Sequence, residues 1–158
     1  MIIIDGHNLL WAVQKASEQA ESISDIQLCW IVGRYLNQTG ESGEIIFDGT
    51  GPKDKSGFDS ITNLQVLFVG QASDADTVIE EKIKACTAPR GLTVVSSDRR
   101  LRKAAQVRRA AAVKSEVFWN DIAKQLSRKK APKEPAEKRI GLTESETQQW
   151  LEIFGIEQ

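Results

Sequence analysis

One histidine, two cysteines and one methionine are all that 158 residues provide, and that scarcity removes several chemistries at once. A zinc site built from nitrogen and sulfur donors cannot be assembled from His7 and two isolated thiols, Cys29 and Cys86. Each cysteine falls in an amphipathic helical pattern and reads as a buried thiol, not half of a bridge, which fits a cytosolic location. The apolar runs are only a few residues long, too short to cross a bilayer. The opening MIIIDGHN lacks the basic start and extended apolar stretch of a secretory signal. No GxGxxG follows the first apolar run, which excludes a Rossmann dinucleotide site, and no Walker loop occurs: Gly49-Thr50-Gly51-Pro52-Lys53 has the wrong spacing and follows an acid.

What is present is a composition of 41% hydrophobic and 27% charged residues, enough apolar material for the core of one soluble domain. The net charge of −1 conceals a segregation. Residues 1–98 hold seven Lys/Arg and fourteen Asp/Glu, a balance of −7; residues 99–139 hold fourteen and four, a balance of +10; residues 140–158 hold four acids and no base. An acidic half beside a basic half suits an enzyme that binds both a cation and phosphates. On charge alone, solvated faces explain the same pattern.

The apolar periodicity alternates between strand and helix. Ile2–Ile4, 44–47, 64–69, 92–95 and 111–113 read as strands. Asn8 is placed to cap a helix over 9–16, and Ser24-Asp25 to open a longer one ending near Gly40, with Ile26, Cys29, Trp30, Val32 and Leu36 on its buried side. A Gly/Lys-rich loop spans 50–57. Further helices follow Asp76 (apolar face Ile79, Ile83, Cys86), Asp98 (Leu101, Ala104, Ala105) and Val113 (Phe118, Trp119, Ile122, Leu126). The order predicts a Rossmann-like α/β/α sandwich with a mainly parallel sheet over residues 1–128. A basic linker is predicted over 129–142 and a C-terminal helix over 143–158, begun by the capping-box pair Thr143 and Glu146.

In such a sheet, ligands bind at the carboxyl ends of the strands. Asp5, Asp48 and Asp98 end strands one, two and four, and Asp76 starts the helix after strand three, with Glu80 one turn on. Singly, Asp98 and Asp76 read equally as helix caps, and Asp5-Gly6 and Asp48-Gly49 as turns; for Asp48, Asp74 and Glu80 the structural reading leads. Together they crowd one edge with negative charge, which a hard cation ligated by oxygen, Mg²⁺ or Mn²⁺, would neutralise. Two other acid-based classes fit poorly. An aspartyl-phosphate phosphatase needs a second acid where His7 stands, and a Toprim domain needs a glutamate where Ile-Ile-Ile stands.

The ordered set IIIDGHNLL, IIFDG at 45–49, SDADTVIEE at 73–81 and VVSSD at 94–98 resembles the YacP-like branch of NYN domains, within the PIN-like nuclease superfamily; the motifs cover residues 1 to about 126. The resemblance implies metal-dependent RNA cleavage, with Asp5, Asp76 and Asp98 as metal-binding acids, Asn8 as their polar neighbour, Asp48 as a further active-site acid and Glu80 as an additional ligand. That branch includes an endonuclease that cuts mRNA on the ribosome, which makes translation an implied setting. Arg99, Arg100, Arg102 and Lys103, directly after Asp98, and Lys53 and Lys55, after Asp48, are expected to hold the RNA backbone. His7 reads as a packing or hydrogen-bonding residue ahead of a substrate contact or proton shuttle. The four tryptophans read as core or docking residues ahead of base-stacking platforms, with Trp11, Trp30 and Trp119 on apolar helix faces and Trp150 on the last helix. The competing reading is a non-catalytic RNA- or ribosome-binding module with the same fold. Monomer and homodimer both remain open.

Overall fold

Ile2, Ile3 and Ile4 carry nothing polar toward either side, and the chain buries both of their faces. In the computed structural model, which describes residues 1–16 and 23–128, β1 (Ile2–Asp5) is the middle strand of a five-stranded sheet. Its neighbours are β2 (Gly43–Phe47) and, on the other side, β4 (Thr93–Val95). Strands β3 (Leu64–Phe68) and β5 (Ala111–Val113) form the edges, and every pairing is parallel. The order β3-β2-β1-β4-β5 means that successive connections leave β1 in opposite directions, so the reversal falls at β1.

Helices cover both faces, as parallel pairing requires. On one, α1 (Gly6–Ala16), α2 (Asp25–Thr39) and α6 (Ser115–Arg128) pack on Ile2, Ile4, Ile45 and Phe47. On the other, α4 (Ala75–Ala85) and α5 (Arg99–Val107) pack on Ile3, Ile46 and Val94. The short α3 (Ser56–Asp59) seals the first core through Phe58. Leu9, Leu28, Leu36, Ile79, Ile83 and Leu101 are fully enclosed, each worth about 1.5–3 kcal/mol relative to exposure. The five strands thus follow the apolar pattern, and the sandwich is the Rossmann-like α/β/α architecture that the sequence predicts. No helix among the described residues is long and apolar enough to cross a membrane.

Helix α2 begins as read. Ser24 Oγ accepts from Gln27 N–H at 3.3 Å, Gln27 Oε1 accepts from Ser24 N–H at 2.9 Å, and Gly40 ends the helix at φ 75°. Its buried side is Leu28, Cys29, Ile31, Val32, Gly33 and Leu36, whereas Ile26 and Trp30 are only partly covered. Cys29 is a fully buried thiol; Cys86 stands at the end of α4, half-buried and equally free. Two readings of α1 are corrected. The helix starts at Gly6 with no intervening loop, so Asn8 lies inside its first turn and is not its cap. Trp11, expected on the apolar face, is 56% exposed, because that face is already filled by Leu9, Ala12 and Val13. The expected linker and C-terminal helix, 129–142 and 143–158, lie outside the described residues.

The abrupt passage from β1 into α1 explains Gly6. A Cβ there would stand 2.5 Å from Phe47 Cδ1 and 2.9 Å from the Ile46 carbonyl oxygen, which the central sheet holds in place. Gly6→Ala is expected to cost about 1–3 kcal/mol, the usual price of overpacking, read as a lower urea midpoint; an unchanged midpoint would refute the close approach.

Candidate active site

Four acids reach the carboxyl edge from four separate segments. Asp5 is the last residue of β1, Asp48 follows β2, Asp76 is the second residue of α4 after β3, and Asp98 caps α5 after β4. The sequence left two of these as equal candidates for capping. The structure gives the α4 cap to Asp74, whose Oδ1 accepts from Thr77 N–H at 2.7 Å. Among the described residues the Asp76 carboxylate accepts no hydrogen bond. Asp98 does cap its helix, accepting from Arg100 N–H at 2.8 Å.

Asp5 is the most enclosed of the four, 6% exposed. Burial pushes its carboxyl up to about 6; the Ser96 hydroxyl and the Asn8 backbone N–H oppose that, while the charges of Asp76 and Asp48 add to it. Asp76 is also raised, first by burial and then by Asp98, against the pull of Arg100. Asp48 is exposed; its Oδ1 accepts from the Ala75 N–H at 2.7 Å, tying the end of β2 to the first turn of α4. Its Oδ2 lies 3.7 Å from His7 Nδ1, and the His7 ring stands edge-on to Phe47 at 5.2 Å.

Glu80 is not gathered in the same way. Arg100 holds its Oε1 through Nε at 3.2 Å and Nη2 at 2.6 Å, which keeps the carboxyl below its ordinary range. Asp5, Asp48, Asp76 and Asp98 therefore share one electrostatic field. Even so, no three His, Cys, Asp or Glu side chains among the described residues stand close enough to close around an ion as they are.

Sequence reasoning missed the serines that hold this edge together. Ser96, fully buried at the end of β4, donates to Asp5 Oδ2 at 3.1 Å and accepts from Asp98 N–H at 3.0 Å, so one hydroxyl joins two of the acids' segments. Asn8 Oδ1 accepts from Ser97 N–H at 2.9 Å and from the buried Ser115 Oγ at 2.6 Å. Ser97 Oγ in turn accepts from Ser115 N–H and donates to Glu116 Oε1 at 2.7 Å. Asn8 thus offers Asp5 its backbone N–H, while its side-chain oxygen locks α1 to β4 and α6. The paired serines of VVSSD, at a buried strand's carboxyl end, were the available signal. Ser96→Ala leaves both the Asp98 N–H and the Asp5 carboxylate one partner short, and is expected to cost about 1–3 kcal/mol. Chemical denaturation measures it, and no loss would mean that the hydroxyl bridge is not formed.

The basic residues divide. Arg99 and Lys103 are exposed, Arg100 is paired with Glu80, and Arg102 is half-buried, its Nε without a hydrogen-bond partner among the described residues. Lys53 and Lys55 stand exposed on the loop after Asp48, with Lys55 Nζ 5.5 Å from the centre of the Phe68 ring. That loop is pinned where Gly49, at φ 80°, accepts the Gly70 N–H at 2.8 Å.

A fully parallel five-stranded sheet with four acids around its point of reversal makes this a Rossmann-like α/β/α domain with an acidic edge. The YacP-like NYN domain model matches residues 2–154, and the chain belongs to that family, which is a family of nucleases. The match runs well beyond the last of the motifs in the sequence. Among the solved structures that share the fold are two of Rae1 (YacP) from Bacillus subtilis. The first superimposes with a TM-score of 0.65 at 19% identity, covering 81% of this chain and 76% of that one. Its W164L mutant gives 0.60 at 17% identity, covering 80% and 77%. A search of curated proteins found no match.

Proposed function

We propose that the chain is a metal-dependent endoribonuclease with Asp5, Asp76 and Asp98 as its metal-binding acids and Asp48 as a further acid of the site. The observation that carries this reading is the state of Asp5: 6% exposed, with its carboxyl pushed up to about 6 by burial and by the charges of Asp76 and Asp48. A carboxylate placed there is poorly compensated by the protein's own donors, and a hard divalent cation, Mg²⁺ or Mn²⁺, is the natural counter-charge for an all-oxygen donor set. Such an ion supplies the activated water and the positive charge that phosphodiester hydrolysis requires.

The chain's own residues then have defined tasks. Ser96 and the Asn8 backbone N–H fix the orientation of Asp5, and Asp48 keeps the start of α4, and hence Asp76, against the strand ends. Arg99 and Lys103, exposed on the helix that Asp98 caps, are suited to hold phosphates flanking the cut, with Lys53 and Lys55 reaching from the other loop. Glu80 serves to fix Arg100, so its part in metal binding requires that ion pair to open. The proposed substrate is RNA, mRNA on the ribosome being one setting, and the proposed location is the cytoplasm.

The test is calorimetric titration of Mn²⁺ into the full chain, with cleavage of an end-labelled RNA followed with Mn²⁺ and with EDTA. Saturable binding and cleavage that EDTA abolishes are expected. RNA binding without cleavage in either condition would replace this reading with that of a non-catalytic RNA-binding module.

A further inference from the structure

Helix α1 leaves the acidic edge carrying a row of side chains that the site does not use. His7, Trp11 and Lys15 are each four residues apart, so they share one face of the helix, and each lies ~6 Å further from the edge along its axis. This face is not core, because the buried side of α1 is Gly6, Leu9, Ala12 and Val13. His7 is half exposed beside Asp48, and Trp11 is the one aromatic among the exposed large hydrophobic residues of the described part of the chain. Lys15 Nζ stands 4.1 Å from the centre of the Trp11 indole.

The Lys15 ammonium covers one face of the indole, and the rest of the ring is open, 56% of the residue being exposed. The flanking residues on its own face are a histidine and a lysine, so an apolar protein patch would find little to match there. A nucleobase with its phosphate matches both: the base stacks on the indole, and the ammonium meets the phosphate. The row also begins at the acidic edge, and its step along the helix is close to that of an extended nucleotide chain. Glu116, which feels the charge of Lys15, is already bonded to Ser97 Oγ.

We infer that the His7–Trp11–Lys15 face of α1 is a subsite for single-stranded RNA, one base stacking on Trp11 and Lys15 meeting an adjoining phosphate. The inference rests on the nuclease reading and extends it. Because α1 and α5 lie on opposite faces of the sheet, Arg99 and Lys103 hold the strand on one side of the cut and Trp11 and Lys15 on the other. A base paired in a duplex cannot stack on the indole, so the subsite selects unpaired RNA.

The experiment measures binding of a fluorescein-labelled twelve-nucleotide single-stranded RNA in EDTA, where cleavage does not interfere, by the full chain and by Trp11→Ala, Trp11→Phe and Lys15→Gln. Trp11→Ala is expected to weaken binding about ten-fold, the scale of one stacked base. Trp11→Phe should retain most of the affinity, the same sequence as a duplex should show no Trp11 dependence, and with Mn²⁺ the loss should fall on KM. Circular dichroism melts should be unchanged, since Trp11 is not core. Equal affinity of wild type and Trp11→Ala overturns the subsite, whether or not wild type cleaves. A change in sedimentation without a change in RNA affinity also overturns it and assigns the face to a second copy of the chain. Trp11-dependent binding by a protein that cleaves nothing would keep the subsite and remove the nuclease reading instead.

Discussion

Asp76→Asn is expected to lower metal-dependent RNA cleavage by on the order of a thousand-fold or more while leaving the fold intact. The exchange preserves shape and removes one negative charge. Among the described residues the Asp76 carboxylate accepts no hydrogen bond, so no structural bond is lost, and Asp74 rather than Asp76 caps α4. A charge in the first turn of a helix is worth about 0.3–1 kcal/mol through the dipole. Here that gain is opposed by burial and by Asp98, Asp74 and Asp48, which raise the Asp76 carboxyl above its ordinary range. The melting temperature should therefore barely move, Mn²⁺ binding should weaken strongly, and the loss should appear in kcat. Cleavage equal to wild type would remove Asp76, and with it the proposed site, from the chemistry.

Asp5→Asn should separate stability from activity: cleavage is lost, yet the metal-free protein becomes more stable at neutral pH. In the folded chain the Asp5 carboxyl is pushed from 3.8 to about 6. Between those values the native state binds more protons than the unfolded chain, so stability falls as pH rises through that window and stays reduced above it. A shift of this size corresponds to about 3 kcal/mol, an upper bound on the gain because asparagine also alters the bonds to Ser96 and Asn8. Asp76, shifted the same way, adds to the slope. Asp74, Glu80 and Glu116 are shifted down, so what they contribute is intact above the ordinary carboxylate range and is lost only at lower pH. Urea unfolding in EDTA at pH 5 and pH 7 should show wild type losing stability toward pH 7 and Asp5→Asn losing less. Equal pH slopes would mean that Asp5 carries no such penalty. Mn²⁺ should restore wild type at pH 7 and do little for the variant.

The strands were legible because each is an apolar run bounded by turn residues, and in a parallel sheet covered on both faces that pattern admits few alternatives. The acids could be set at one edge for the same reason: a carboxylate one residue past a buried strand has only that edge to occupy. What escaped the reading depended on partners distant in sequence. Asn8 looks like a helix cap until Ser97 and Ser115 are brought to its oxygen, 89 and 107 residues away. Ser96 acquires its role only because β4 lies against β1. Glu80 is on the expected face of α4, but Arg100, twenty residues on, engages it. Trp11 fits an apolar stripe by spacing, and its exposure follows from Leu9, Ala12 and Val13 having filled that space. Periodicity fixes which side of an element is turned inward, not how many positions the neighbouring elements leave to be filled.

The hydroxyl of Ser96 has a consequence for the order of events during synthesis. Asp5 is made 91 positions before the donor that orients its side chain, and the lock on Asn8 closes only with Ser115. Contacts of such long range form late, after intervening elements have found their places. A growing chain that ends with α4 carries Asp5, Asp48 and Asp76 but neither Asp98 nor the serines that set the edge. The acidic edge is therefore set only once the chain through Ser115 has been made and folded.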